Sequence, residues 1–337
     1  MINFIQFITT RAFLAIITLL AVSFIVFALM ELVPANCAER YLAFKNTQGS
    51  NITIEDIEAQ ERRLGLDRPF LVRWSTWVSN IVIERDFGNS CILRVRINDL
   101  MKDKFFLSLG ICLTALLLAY LIAVPVGIIS ATTKFRSLDN ALKLISYLGL
   151  AIPNFLLALI IILFSVVFFG DTMTGLFTPE YVNAPWSFDK FKNFLSRAWL
   201  PIFILGWSAT AFALQTVRAL ISDEYEKLYV VAAKARGISG MTLLWKYPAK
   251  HSLGPIINSL GFDLNRIFNE LPIVALILML TESGALLVES LARNNDQQLA
   301  GAIIILLTGT IIMLNFLTDV LLAVIDPRIR KGVMGGS

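Results

Sequence analysis

The chain has 337 residues, of which 56% are hydrophobic and only 16% are charged. A soluble domain normally carries about a quarter charged residues, so this composition excludes an ordinary soluble enzyme and a disordered protein. The net charge of +4 suits a membrane protein whose lysines and arginines concentrate in cytoplasmic loops, and we expect no nucleic-acid partner. The chain has three cysteines and one histidine, with no CxxC spacing, so we expect no metal site and no catalytic residues.

Uncharged runs of about 20 residues can cross a bilayer as helices. In chain order these runs are Ala12–Met30, Phe105–Thr133, Leu144–Gly170, Ala198–Val217 and Leu299–Thr318. The first run is too long for the core of a cleaved signal peptide, so we interpret it as a retained anchor. Pro153 predicts a kink within the third run.

A sixth span is needed between His251 and Thr281, where charged residues interrupt the apolar sequence. Asp263, Arg266 and Glu270 stand at i, i+3 and i+7 and therefore share one helix face. A span with one polar face is expected only where that face meets protein or water rather than lipid. Two interpretations stay open: these residues line a substrate path, or they form an intramembrane ion pair that fixes helix packing.

The basic residues orient the predicted spans. They concentrate in the stretch before the first span, in the connections after the second and fourth spans, and in the tail, all on one face if there are six spans. That face is cytoplasmic by the positive-inside rule, which places both termini in the cytoplasm. The predicted organisation is a first span within 1–30, an extracytoplasmic cap at 31–104, a five-helix core at 105–330 and a tail at 331–337.

The cytoplasmic connection at 221–251, ISDEYEKLYVVAAKARGISGMTLLWKYPAKH, is too long for a plain turn between two spans. Good helix formers broken by Gly237 and Gly240 predict a helix, a sharp turn and a second short helix from about Met241 to Trp245. The small residues Ala232 and Ala233 leave a surface that another protein can approach closely.

This connection resembles the "EAA" loop of binding-protein-dependent ABC importer permeases, and more closely the B-type permease of dipeptide and oligopeptide importers. That group carries Y-V-x-x-A-R-A-K-G, which Tyr229, Val230, Ala233, Ala235 and Gly237 match. Lys234 and Arg236 keep the basic character with the residue types exchanged. The resemblance continues through LGLDRPFLVRW at 64–74, DFGNS at 86–90, GLAIPNF at 149–155 and DPRIR at 326–330. Val231, at the position of the glutamate for which the loop is named, marks a divergent branch.

The resemblance implies an all-α integral membrane fold of six transmembrane helices, similar to type I ABC importer permeases, in a bacterial inner membrane. The implied partners are a homologous second permease, two ATPases that bind ATP and magnesium, and a periplasmic substrate-binding protein. The loop would dock on an ATPase through Tyr229, Ala232, Ala233, Lys234, Arg236 and Gly237. The chain would need no cofactor of its own, and short peptides or peptide-like compounds are the expected substrates.

Other functions remain open on the residues alone. The cargo could instead be an oligosaccharide, an opine or another glycoside. An ion-driven secondary carrier would use intramembrane carboxylates but usually shows internal repeats, and none is visible. An intramembrane enzyme would need paired catalytic groups at membrane depth, and no sequence motif supports such a pair. Cys37 and Cys91 both lie in the outer segment, where an oxidising compartment would permit a disulfide; two free thiols are the alternative.

Overall fold

The computed structural model describes residues 2–32, 36–47, 53–170, 172–182, 184–292 and 296–325. The DPRIR motif at 326–330 and the predicted tail at 331–337 lie outside the described residues. Within them the chain folds into helices: α1 Ile2–Leu32, α2 Cys37–Thr47, α3 Ile54–Leu64, α4 Phe70–Ser79, α5 Ile97–Thr132, α6 Arg136–Ala151, α7 Asn154–Phe169, α8 Pro179–Val182, α9 Phe188–Tyr225, α10 Leu228–Ala235, α11 Gly240–Lys246, α12 Pro248–Ile277, α13 Ser283–Ala292 and α14 Gln297–Ile325. A π-helical turn, Asn80–Glu84, follows α4.

In the described part of the chain, four helices are long and apolar enough to cross a membrane: α1, α5, α9 and α14. They contain the first, second, fourth and fifth apolar runs of the sequence. The helices extend beyond those runs, because charged residues at helix ends continue the backbone hydrogen bonding without needing to lie in lipid.

The third apolar run is divided between α6 and α7, whose axes differ by 95°. Ile152 ends α6 in an extended conformation, with φ −93° and ψ 112°, and Pro153 precedes α7. Proline has no backbone N–H and disfavours the helical conformation of the residue before it. The sequence predicted a kink at Pro153; the structure has a full break, and the two helices together are long and apolar enough for a fifth span.

The chain divides into two compact units. We call the first, 1–11, 109–280 and 313–337, the hairpin unit, and the second, 12–108 and 281–312, the disulfide unit. The core of the hairpin unit forms where α9 packs along α12 and α6. Its buried apolar residues include Leu200, Ile204, Leu205, Ala209, Ala213, Ile267 and Leu271.

The disulfide unit has an aromatic core. Trp77 is buried against Phe27 and Ile305, and Phe70 and Trp74 pack around them. The indole N–H of Trp74 donates to the Ser23 hydroxyl at 3.3 Å. These two tryptophans therefore act as core residues of this unit.

Candidate functional site

The connection between α9 and α12 forms a helical hairpin, Leu228–Lys246, which we call the coupling hairpin. Gly237 follows α10 with a φ of +84°, and Gly240 opens α11 with a φ of +62°. Glycine adopts such positive φ values without steric cost. The N–H of Gly237 donates to Lys234 O at 2.9 Å and that of Ile238 to Ala233 O at 3.2 Å, so the carbonyls at the end of α10 stay satisfied through the turn.

The interior of the coupling hairpin is apolar. Val230, Ala233 and Leu243 are buried against one another, with Tyr225, Ile238 and Tyr247 packed around them. Ala233 is completely buried. The sequence suggested that both Ala232 and Ala233 offer surface to a partner; in the structure only Ala232 does, because α11 covers Ala233.

The outer face of the coupling hairpin exposes large apolar side chains. Leu228 is 86% exposed, Met241 65%, Trp245 57% and Val231 49%. Residues from the predicted docking set are exposed beside them: Tyr229, Ala232, Lys234, Arg236 and Gly237. Clustered exposed apolar side chains with a polar surround are typical of a protein interaction surface.

The coupling hairpin is also anchored to the long helices of its own unit. Leu244 of α11 is buried with Val217 and Ile221 of α9 and with Ala249 and Ile256 of α12. Side chains of α5, including Tyr120, Val124 and Ile128, pack on the same cluster. Leu244 therefore packs the hairpin against α5, α9 and α12.

The polar face of α12 meets polar groups from other helices of the hairpin unit. The Tyr120 hydroxyl of α5 donates to Asp263 Oδ2 at 2.8 Å. The Asn154 side-chain amide of α7 donates to Glu270 Oε2. Asp263 is completely buried, whereas Arg266 and Glu270 are half-buried.

The guanidinium of Arg266 lies beside two aromatic rings that also contact each other. Its Cζ is 4.8 Å from the ring centre of Phe212 and 5.6 Å from that of Phe262. Among the described residues, its only hydrogen bond is from Nη1 to Ser208 O at 3.4 Å. No salt bridge forms between Arg266 and Asp263 or Glu270 in the described structure, so the ion pair suggested by the i, i+3 spacing is not made.

Tyr120 and Asn154 are the members of this polar group that sequence reasoning missed. Each lies in a largely apolar helix, and its partner stands more than 100 positions away along the chain. The only sequence signal was that a polar side chain in a span needs a partner. That requirement does not identify which residue supplies it.

The outer segment contains a disulfide bond between Cys37 and Cys91. The loop that carries Cys91 is further held by Asp296, whose carboxylate accepts the backbone N–H of Cys91 at 3.1 Å. Cys112, on α5, is buried and is not part of a disulfide bond in the described structure. No group of three or more His, Cys, Asp or Glu side chains in the described ranges is arranged to hold a metal ion.

Comparison with known proteins places these features in one family. The model of the binding-protein-dependent transport system inner membrane component matches residues 123–331, and that of the N-terminal part of such components matches residues 4–94. The chain is 27% identical to the oligopeptide transport system permease protein AppB of Bacillus subtilis, over 96% of this chain and 99% of the relative. It is 27% identical to the glutathione transport system permease protein GsiC of Escherichia coli K12, over 93% and 95%. It is 26% identical to the putrescine export system permease protein SapB of Escherichia coli K12, over 77% and 86%.

The family model for the inner membrane component covers more than half of the chain, including α9, the coupling hairpin, α12 and α14. The chain therefore belongs to the family of inner membrane components of binding-protein-dependent transport systems, the permease subunits of ABC transporters.

Proposed function

We propose that this chain forms the translocation path of an ATP-driven importer together with a second, homologous permease. Two ATPase subunits that bind ATP and Mg²⁺ and a periplasmic substrate-binding protein complete the assembly. The observation that carries this proposal is the coupling hairpin, whose outer face is exposed and apolar while Leu244 anchors it among α5, α9 and α12.

The geometry of the hairpin supports a mechanical role. Leu228, Met241 and Trp245 offer an apolar surface that a groove on an ATPase can cover. Closure of the ATPase dimer would displace the hairpin as a body, because its own core of Val230, Ala233 and Leu243 is packed. The displacement would then pass through Leu244 to the long helices, which rock to open the path alternately on the two sides.

Six spans follow if α12 crosses the membrane as well. Its 30 residues give a helix of about 45 Å, longer than the roughly 30 Å hydrocarbon layer. The polar face that lowers its hydropathy carries Asp263, Arg266 and Glu270, which contact protein groups rather than lipid. Six spans would place both termini in the cytoplasm.

Short peptides or peptide-like compounds are the cargo we propose. The support comes from the relatives named for oligopeptide and glutathione transport. The relative named for putrescine export makes a small polyamine the competing cargo, and the binding protein that this chain recruits would decide between them.

Co-purification in mild detergent tests the assembly, with Ala232→Trp as the informative variant. Ala232 is exposed on the outer face of α10, so a tryptophan there can be accommodated by the free chain but not by a surface docked on it. We expect wild-type protein to recover two ATPases and a second permease. The Ala232→Trp variant should keep the second permease, lose the ATPases and fall at least tenfold in ATP-dependent uptake.

Ala141→Trp is the matched control, because Ala141 is also an exposed alanine on a helix of the same unit but lies outside the coupling hairpin. It should behave as wild type in both measurements. Normal ATPase recovery and uptake with Ala232→Trp would refute docking at this surface, and recovery of the wild-type chain alone would refute the proposed assembly.

A further inference from the structure

Arg266 is a half-buried cation that makes no salt bridge with the described residues of its own unit. A guanidinium has five N–H donors, and in the described residues one of them makes a single 3.4 Å bond, to Ser208 O. The rings of Phe212 and Phe262 hold it by cation–π contact. Phe262 is 58% exposed, so the guanidinium lies at an accessible edge of the unit.

The two carboxylates nearest to Arg266 on α12 are each held by a different helix. Residues at i, i+3 and i+4 on a helix are neighbours, and opposite charges there normally pair. Asp263 instead accepts from Tyr120 at 2.8 Å and is completely buried. Glu270 accepts from the Asn154 amide. A neutral donor therefore holds one oxygen of each carboxylate, and neither carboxylate forms a salt bridge with Arg266 in the described structure.

We propose that Arg266 binds a carboxylate group of the cargo as it passes α12. This inference rests on the proposed function, because it takes the exposed face of α12 to line the path. A guanidinium pairs with a carboxylate through two parallel N–H···O bonds. Asn154 is a positioning residue, since it keeps Glu270 from pairing with Arg266.

The surroundings favour a carboxylate over a phosphate group. Asp263 and Glu270 each lie about one turn from Arg266 on the same helix, and their negative charge repels an incoming anion. A monoanion meets half the repulsion of a dianion at the same distance. The free carboxylate at the end of a peptide has the required charge and shape.

The first test compares uptake of trialanine with that of trialanine amide, which lacks the terminal carboxylate. In the assembled transporter, Arg266→Gln should lower the acid-to-amide uptake ratio about tenfold or more, because it removes a charged, bidentate hydrogen bond. Arg266→Lys should lower it less. Asn140→Ala, an exposed position on α6, is the control and should keep the wild-type ratio. Equal loss of acid and amide uptake in Arg266→Gln would overturn the proposal, because it would indicate a packing role.

The Asn154 variants test the positioning role. Asn154→Ala should free Glu270 to pair with Arg266 and lower the acid-to-amide ratio, and adding Glu270→Gln should restore it. A ratio that stays low in the double variant would refute this role.

A second measurement does not depend on peptide cargo. Sodium acetate, compared with sodium chloride at equal ionic strength, should raise the melting temperature of the purified wild-type and Asn140→Ala complexes but not that of Arg266→Gln. Equal shifts in all three would refute the carboxylate site. If the wild-type transporter imports neither peptide, the peptide proposal fails, and the acetate comparison still decides the role of Arg266. If the peptides are imported but Arg266→Gln leaves the acid-to-amide uptake ratio unchanged, only the carboxylate site fails.

Discussion

Asp296 is a buried carboxylate that satisfies two separate pieces of backbone in the disulfide unit. Its Oδ1 accepts the N–H of Cys91 and that of Leu299, both at 3.1 Å, and the second bond caps the start of α14. Its Oδ2 accepts the N–H of Ile92 at 3.3 Å and the hydroxyl of Ser90. One side chain therefore caps a long helix and fixes the loop that carries a disulfide cysteine.

Removing this carboxylate should destabilise the disulfide unit. Asp296→Ala leaves several buried donors without an acceptor, and we expect a loss of about 2–5 kcal/mol in unfolding free energy, with a lower melting temperature. The Cys37–Cys91 bond should also be reduced faster by a mild thiol. Asp103→Ala, an exposed carboxylate on α5, should change stability by less than about 0.5 kcal/mol. Similar melting temperatures for the two variants would show that the Asp296 bonds contribute little.

The role of Asp296 could not be predicted from the sequence, whereas the pairing of Cys37 with Cys91 could at least be suggested. The two cysteines are the only ones in the outer segment, so the sequence leaves two possibilities: a disulfide between them or two free thiols. Asp296 and Ser90 are 206 positions apart, and an aspartate before a helix predicts only a local cap. Long-range hydrogen bonds depend on tertiary packing, which residue type does not encode.

At the scale of elements, the sequence predicted helices better than it predicted their breaks. Gly237 and Gly240 correctly placed the turn between α10 and α11, because each has the positive φ that glycine permits. Pro153 predicted a kink, but the angle of the break depends on how α6 and α7 each pack on other helices. The close contact of α6 with α9 at Gly149 is one such determinant, since an added Cβ there would lie 2.6 Å from the Cβ of Ala211.

Gly149→Ala should therefore weaken the contact between α6 and α9. A separation of 2.6 Å is too short for two carbon atoms, so one helix must shift, at a cost of about 1–3 kcal/mol. Gly110→Ala is the matched control, because Gly110 is also helical and nothing lies within 4 Å of the added Cβ. It should be neutral or stabilising by up to about 1 kcal/mol, since alanine favours helices. Thermal unfolding of the purified variants measures both changes in stability. Equal changes for the two variants would mean that α6 shifts at Gly149 without a free-energy cost.

At the scale of the whole molecule, hydropathy predicted an integral membrane protein, because a helix that crosses the bilayer must be long and apolar. It was least decisive for α12, which is not among the described helices that are long and apolar enough to cross a membrane. The reason is physical: the hydropathy of a segment counts each charge as though it met lipid, whereas Tyr120 and Asn154 supply partners to Asp263 and Glu270. Partners on other helices lower the cost of burying a charge, and they are invisible in the segment itself.

The crossing of α12 can be tested by where single cysteines react. The wild-type chain gives the background, because Cys37 and Cys91 are bonded and Cys112 is buried. Six spans place Glu180 and Leu291 outside the cell membrane and Thr242, on α11, in the cytoplasm; all three side chains are exposed.

In right-side-out vesicles, an impermeant maleimide should label Glu180→Cys and Leu291→Cys, and Thr242→Cys only after permeabilisation. Glu180→Cys serves as the outside reference, because its position depends on α7 and α9 rather than on α12. If Leu291→Cys instead reacts only after permeabilisation, as Thr242→Cys does, α12 begins and ends on the same side of the membrane. The polar face with Arg266 would then not cross the bilayer, and both the six-span arrangement and the carboxylate site on the path would be excluded by the same result.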